Sequence, residues 1–190
     1  KENLGTMPEV LGLRRLQGVR ELEVRAMDQQ LIRAMTRHKG LRKVDMAETD
    51  LVEMEPEVLA RVVNDLEEVD MRNADMTSEQ AEKIIATMSD GNSKLKKINI
   101  SGRKEALISV EPGQMVRALA KVEHVIMNHS QLSGQQTEAI LASINRPDNR
   151  MKTLGMRTNR GLNEVDPQVL AIAAASLEEL DLGNSYSQLM

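Results

Sequence analysis

Three histidines, many carboxylates and no cysteine set the chemistry open to this chain. His124 and His129 flank a short apolar run, with no thiolate and no carboxylate group at a spacing that closes a zinc site. His38 sits between Arg37 and Lys39 in a polar stretch and is a weaker candidate still. Without cysteine there are no disulfides, thiolate metal sites or cysteine nucleophiles. No phosphate-cradling Gly-x-x-x-x-Gly-Lys and no Gly-x-Ser-x-Gly elbow occurs, and Ser89-Asp90-Gly91-Asn92 reads as a turn. The 13 methionines fall at core spacings, so they read as apolar filler rather than copper ligands. The expectation is a protein with no catalytic residue, no metal and no cofactor, hence not an enzyme.

What does recur is a set of polar side chains interleaved with apolar ones. They are Glu21, Glu23 and Arg25; Lys43, Asp45 and Glu48; Glu68, Asp70 and Arg72; Lys97, Asn99 and Ser101; His124, Ile126 and Asn128; Thr153, Gly155 and Arg157; and Glu179, Asp181 and Asn184. Regularly placed polar groups with no reactive centre suit non-covalent recognition.

Their positions follow from an apolar frame. Seven segments repeat the order apolar, two polar, apolar, any, apolar: Val19/Leu22/Val24, Leu41/Val44/Met46, Leu66/Val69/Met71, Leu95/Ile98/Ile100, Val122/Val125/Met127, Met151/Leu154/Met156 and Leu177/Leu180/Leu182. Successive starts differ by 22, 25, 29, 27, 29 and 26 residues. Alternation at the end of each segment predicts a strand with one buried face.

Two kinds of helix alternate between these strands. Thr77-Ser78-Glu79-Gln80 and Ser133-Gly134-Gln135-Gln136 each place a hydroxyl three residues before a glutamine, the pattern of a capping box. The stripes Ala81/Ile84/Ile85/Met88 and Thr137/Ile140/Leu141/Ile144 follow at helical spacing. The other kind opens on Glu55-Pro56, Glu111-Pro112 or Asp166-Pro167, where proline suits the first turn and the acid suits the helix dipole. Its inward stripes are Leu59/Val62/Val63, Met115/Val116/Leu119 and Leu170/Ala173/Ala174, and Met7-Pro8-Glu9-Val10-Leu11 is of the same type. Strand and helix units this small must stack on neighbours to hide their apolar faces.

The phrases Leu66-Glu67-Glu68-Val69-Asp70-Met71, Leu95-Lys96-Lys97-Ile98-Asn99-Ile100 and Leu177-Glu178-Glu179-Leu180-Asp181-Leu182 resemble leucine-rich repeats, and the alternation resembles the ribonuclease-inhibitor subclass over essentially the whole chain. The resemblance implies an α/β fold, a right-handed solenoid or horseshoe with a concave parallel sheet and convex helices. Residues 1–190 then form one domain of about seven repeats, with ends that suit a piece of a longer array. The subclass usually carries Asn or Cys three residues after the last strand apolar. Here that position holds Thr49, Ala74, Arg103, Ser130, Asn159 and Ser185, with Asn only once, so the hydrogen bonds usually collected there are expected to be either looser or made by hydroxyls.

On this frame the candidate partner-binding residues are Glu23, Lys43, Asp45, Glu68, Asp70, Arg72, Lys97, Asn99, His124, Ile126, Asn128 and Arg157. The column Glu23, Asp45, Asp70, Asn99, Ile126, Gly155, Asp181 is acidic at its start and suits a partner with a basic patch, while Lys43 between Glu21 and Glu68 suits pairing across strands. A net charge of −4 without a basic block, and a single aromatic residue, Tyr186, argue against nucleic acid and anionic membrane as partners. No apolar run is long enough to cross a membrane.

The reading is a protein-protein recognition module using its concave face. Resemblance to the repeats of NACHT-type immune receptors implies a sensor or regulator, with a cytoplasmic setting favoured. Two alternatives come from repeats of similar type: a GTPase-activating protein of the Ran system, for which Arg103 or Arg157 would be nominated, and a domain capping actin filament ends. Self-association through uncapped terminal repeats is a further expectation.

Overall fold

The computed structural model describes residues 2–4, 18–102 and 105–183. The segment 7–11, Arg103, and the positions Asn184, Ser185 and Tyr186 lie outside the described residues. Eight strands form one parallel sheet in sequence order: β1 (Glu2–Leu4), β2 (Glu21–Val24), β3 (Lys43–Asp45), β4 (Glu68–Asp70), β5 (Lys97–Asn99), β6 (His124–Ile126), β7 (Thr153–Gly155) and β8 (Glu179–Asp181). β1 and β8 are the two edges, so the sheet is open. The helices between strands are α1 (Gln29–Arg37), α2 (Pro56–Asp65), α3 (Ser78–Ser89), α4 (Pro112–Leu119), α5 (Gly134–Ser143) and α6 (Pro167–Ser176).

Each predicted strand segment is a strand whose central apolar residue is in the core from β2 to β7: Leu22, Val44, Val69, Ile98, Val125 and Leu154 are at most 2% exposed. The helix stripes meet them in one continuous cluster, so the helices cover a single face of the sheet. Burying each such aliphatic side chain stabilises by roughly 1.5–3 kcal/mol. At the β8 end the expectation fails in part. Of the stripe Leu170/Ala173/Ala174 only Ala173 is buried, Leu170 is half-buried and Ala174 is exposed, because no further layer lies beyond α6 among the described residues.

Both capping boxes form. Thr77 Oγ1 accepts from Gln80 N while Gln80 Oε1 accepts from Thr77 N, and Ser133 and Gln136 repeat the arrangement. The acid before proline caps α4 and α6, where Glu111 accepts from Gly113 N and Gln114 N and Asp166 accepts from Gln168 N. Glu55 makes no such cap on α2 and instead pairs with Arg33.

The two glutamines do more than cap. Gln80, 1% exposed, donates from Nε2 to Leu51 O (2.6 Å) and Met54 O (2.7 Å), while Gln136 donates to Leu107 O (2.8 Å) and Val110 O (2.7 Å). Each therefore satisfies buried carbonyls in the loop that leads into the preceding proline-type helix. This gives the alternation of two helix kinds a physical basis: one kind supplies the donor, the other the acceptors.

Candidate functional site

The face of the sheet opposite the helices is built from the first and third residues of each three-residue strand. Register places them in two columns. The first runs Glu21, Lys43, Glu68, Lys97, His124, Thr153, Glu179, and the second Glu23, Asp45, Asp70, Asn99, Ile126, Gly155, Asp181. Parallel strands lie about 4.8 Å apart, so side chains along a column are direct neighbours.

The first column neutralises itself at its start. Its signs alternate over β2 to β5, and Lys43 Nζ lies 3.0 Å from Glu68 Oε2. The hydrogen bond from Lys43 to Glu68 raises the Lys43 pKa, with Glu21 and Asp45 adding to it. Further along, His124 Nδ1 is 3.1 Å from Thr153 Oγ1. Among the described residues no group of three His, Cys, Asp or Glu is placed to hold a metal ion.

A second ladder lies at the residue before each strand. Glu67 takes Arg42 (3.4 Å) on one side and Lys96 (2.8 Å) on the other, and Glu123 takes Lys152. Hydrogen bonding to Lys96 and to Lys152 holds Glu67 and Glu123 respectively below the usual carboxylate range. These pairs are exposed and individually worth little.

The acidic column behaves differently. Asp45 Oδ1 accepts from Ala47 N (3.0 Å), Asp70 Oδ1 from Arg72 N (2.9 Å), Asn99 Oδ1 from Ser101 N (3.1 Å) and Asp181 Oδ1 from Gly183 N (3.2 Å). Each ends its strand by closing a turn on the amide two residues on. Asp45 and Asp70 have no ion-pair partner among the described residues, whereas Glu23 pairs with Arg25. Asp45 and Asp70 are thus adjacent half-buried carboxylates in register without a direct ion pair, Asp45 being near enough to Lys43 to help raise its pKa.

Ile126 and Gly155 cannot accept a hydrogen bond through their side chains, and the amides two residues on are satisfied from the turn that follows the preceding strand. Asn128 N donates to Ser101 Oγ (3.1 Å), and Arg157 N donates to Asn128 Oδ1 (2.7 Å). Ile126 is half-buried beside Gly155, and a Cβ built at Gly155 would lie 3.4 Å from Ile126 Cγ2. The isoleucine therefore has a bare neighbour on one side.

Arg25, Glu48, Arg72, Ser101, Asn128 and Arg157 are expected on the sheet face from the sequence and lie instead beyond the strand ends. Ser101 is buried and serves β6 as described. Arg157 is engaged by Asp181, with Nε 2.6 and 2.7 Å from the two carboxylate oxygens, which raises the arginine pKa and lowers that of the aspartate. Glu23, Lys43, Asp45, Glu68, Asp70, Lys97, Asn99, His124 and Ile126 all lie on the expected strands.

The position three residues after the last strand apolar works through its side chain at Thr49, Ser130 and Asn159, while Ala74 offers no such group and Arg103 and Ser185 lie outside the described residues. Thr49 Oγ1 donates to Met46 O, Ser130 Oγ to Ile100 O (3.1 Å), and Asn159 Nδ2 to Met127 O (2.7 Å) and Met156 O (3.1 Å). One position earlier, sequence reasoning missed a feature. Glu48, Asn73, Gly102, His129 and Thr158 all have positive φ, between 54° and 114°. Asn and Gly were the available signal, but Glu, His and Thr concealed the common geometry.

No family model matches the sequence, and no curated protein matches it.

Proposed function

We propose that the chain is a leucine-rich-repeat-type, right-handed solenoid that acts as a protein-binding module, with the exposed sheet face as its contact surface. The partner carries a basic patch that lies against Glu23, Asp45 and Asp70 and an apolar group that covers Ile126. One observation supports this above the others: in the first column Lys43 pairs directly with Glu68, while neighbouring Asp45 and Asp70 stand in register without a direct ion pair among the described residues. A rigid sheet orders these groups in advance, which lowers the entropic cost of association. The role is binding rather than catalysis, and the likeness of the repeat to those of NACHT-type receptors favours a sensor or regulator.

The test replaces Asp45 and Asp70 by Asn, which removes the charge and keeps the turn-closing acceptor, together with Ile126 by Glu, in the intact chain. A captured partner is lost from the variant while its unfolding curve stays cooperative. If every partner is retained, the face is not the contact surface. Raising salt weakens the wild-type complex, since rim charges respond to screening.

Self-association is a second reading, supported by Ile172, which is 51% exposed on α6. It requires light scattering by the chain to rise with concentration beyond that of a monomer.

A further inference from the structure

Two other aliphatic side chains stand out from the surface away from the sheet face. Val52 is 44% and Ile108 50% exposed, and they occupy the same place in the loops leading into α2 and α4. Scattered surface aliphatics are ordinary, so exposure alone says nothing. Three further observations separate this pair from that background.

First, the loops are held rigid. Gln80 and Gln136 clamp the carbonyls on either side of each aliphatic, and the flanking Leu51 and Leu107 are buried at 0% and 3% exposure. Second, the fold does not need an apolar residue there. The corresponding loop before α6 carries Asn163, exposed, between buried Leu162 and Val165. Third, the surroundings of Val52 have one sign. Residues 47–57 contain five carboxylates and no lysine or arginine. Glu55 and Glu57 pair with Arg33 and Lys83, whereas Glu48, Asp50 and Glu53 have no ion pair among the described residues. Asp75, bridged to Asp50 from the next loop, adds another carboxylate.

The loops that carry Val52 and Ile108 follow β3 and β5, two strand spacings apart, which is roughly 10 Å. Residues i and i+7 of an α-helix are separated by about 10.5 Å along its axis and share one face. Met76, half-buried and packed against the core, stands on the intervening loop after β4. We propose that this edge of the molecule is a second docking surface, which takes a basic amphipathic helix presenting apolar side chains at i and i+7 to Ile108 and Val52. Lysine or arginine on the helix flanks meets Glu48, Asp50, Glu53 and Asp75.

The probe is a synthetic, fluorescently labelled 18-residue helix of Ala and Lys with Leu at i and i+7. Its control is an isomer of the same composition with the two leucines on opposite faces. Anisotropy titrations at low salt use the full chain, the doubly substituted Val52→Ser/Ile108→Ser chain, and the sheet-face triple variant. The expected result is that wild type prefers the i, i+7 peptide at least tenfold. The serine variant loses that preference while unfolding as wild type does, and the sheet-face variant keeps it. Equal affinity for the two isomers, no measurable binding, or an undiminished preference in the serine variant overturns the proposal. Loss in the sheet-face variant instead assigns the peptide to the other surface, and also overturns it.

Discussion

At the scale of single residues, the core holds a polar group that it does not pair. Thr137 is fully buried on α5 and its hydroxyl has no hydrogen-bond partner. Valine has nearly the same shape without the hydroxyl, so Thr137→Val is expected to stabilise by about 1 kcal/mol, the penalty of an unpaired buried polar group. Denaturant unfolding checks this, and a lower midpoint in the variant contradicts it. Glu48 presents the opposite case, an exposed side chain on a left-handed backbone with φ 61°. Such a residue costs roughly 1–3 kcal/mol, partly offset in a glycine variant by the greater freedom of the unfolded chain. Glu48→Gly should therefore gain about 1 kcal/mol in the same assay.

At the scale of elements, the buried glutamines hold consecutive units together. Removing Gln136 by Gln136→Ala leaves Leu107 O and Val110 O without their side-chain donor and opens a void, a loss of about 3 kcal/mol or more. Neighbouring Gln135 is exposed, so Gln135→Ala is the matched control and should shift the midpoint by less than about 0.5 kcal/mol. Comparable losses in the two variants would show that the clamp carries no weight.

The elements themselves were legible because the signals were local. Leu66/Val69/Met71 and its counterparts alternate in strand fashion, and Thr77 to Gln80 names its own helix start. The side-chain duties of the loops were not legible for a different reason. Gln80 reads fully as a capping residue, and nothing in its neighbourhood of the sequence points to carbonyls 29 residues away. Likewise Asp45 and Asp70 read as free contact groups, although each also closes a turn on its own backbone. The strand columns were thus legible from the alternation, whereas the hydrogen bonds that Ser101, Asn128 and Arg157 make beyond the strand ends were not, because their partners lie 24 to 29 residues away.

For the whole molecule, the charge ladders set the response to pH and salt. Glu57, Glu67, Glu111, Glu123 and Asp181 all have pKa values lowered by hydrogen bonds from lysines, an arginine or backbone amides. A depressed carboxylate stabilises the fold above its unfolded pKa, about 4, and that contribution vanishes as pH falls through the lower folded value. Lys43 and Lys152 have raised pKa values, so their contribution is complete below about 10.5 and is lost on further alkalinisation. The thermal midpoint should be flat between roughly pH 5 and 9 and fall on either side, with a shallower acid limb in high salt. Glu67→Gln, which removes the centre of one ladder, should flatten that acid limb further; an unchanged profile would mean that the pairs are too exposed to matter.

The way strand ends are satisfied at β6 and β7 has a wider implication. Where Asp45, Asp70 and Asn99 stand, identity is constrained, since an acceptor must close the turn beneath it. At Ile126 and Gly155 that obligation has been handed to Ser101 and Asn128 in the turns beyond the preceding strands. Gly155 is held by a different constraint, since a Cβ there would lie 3.2 Å from Asn128 Oδ1, the acceptor that closes the next turn. Ile126 alone is left free to drift in character while the scaffold beneath it stays intact.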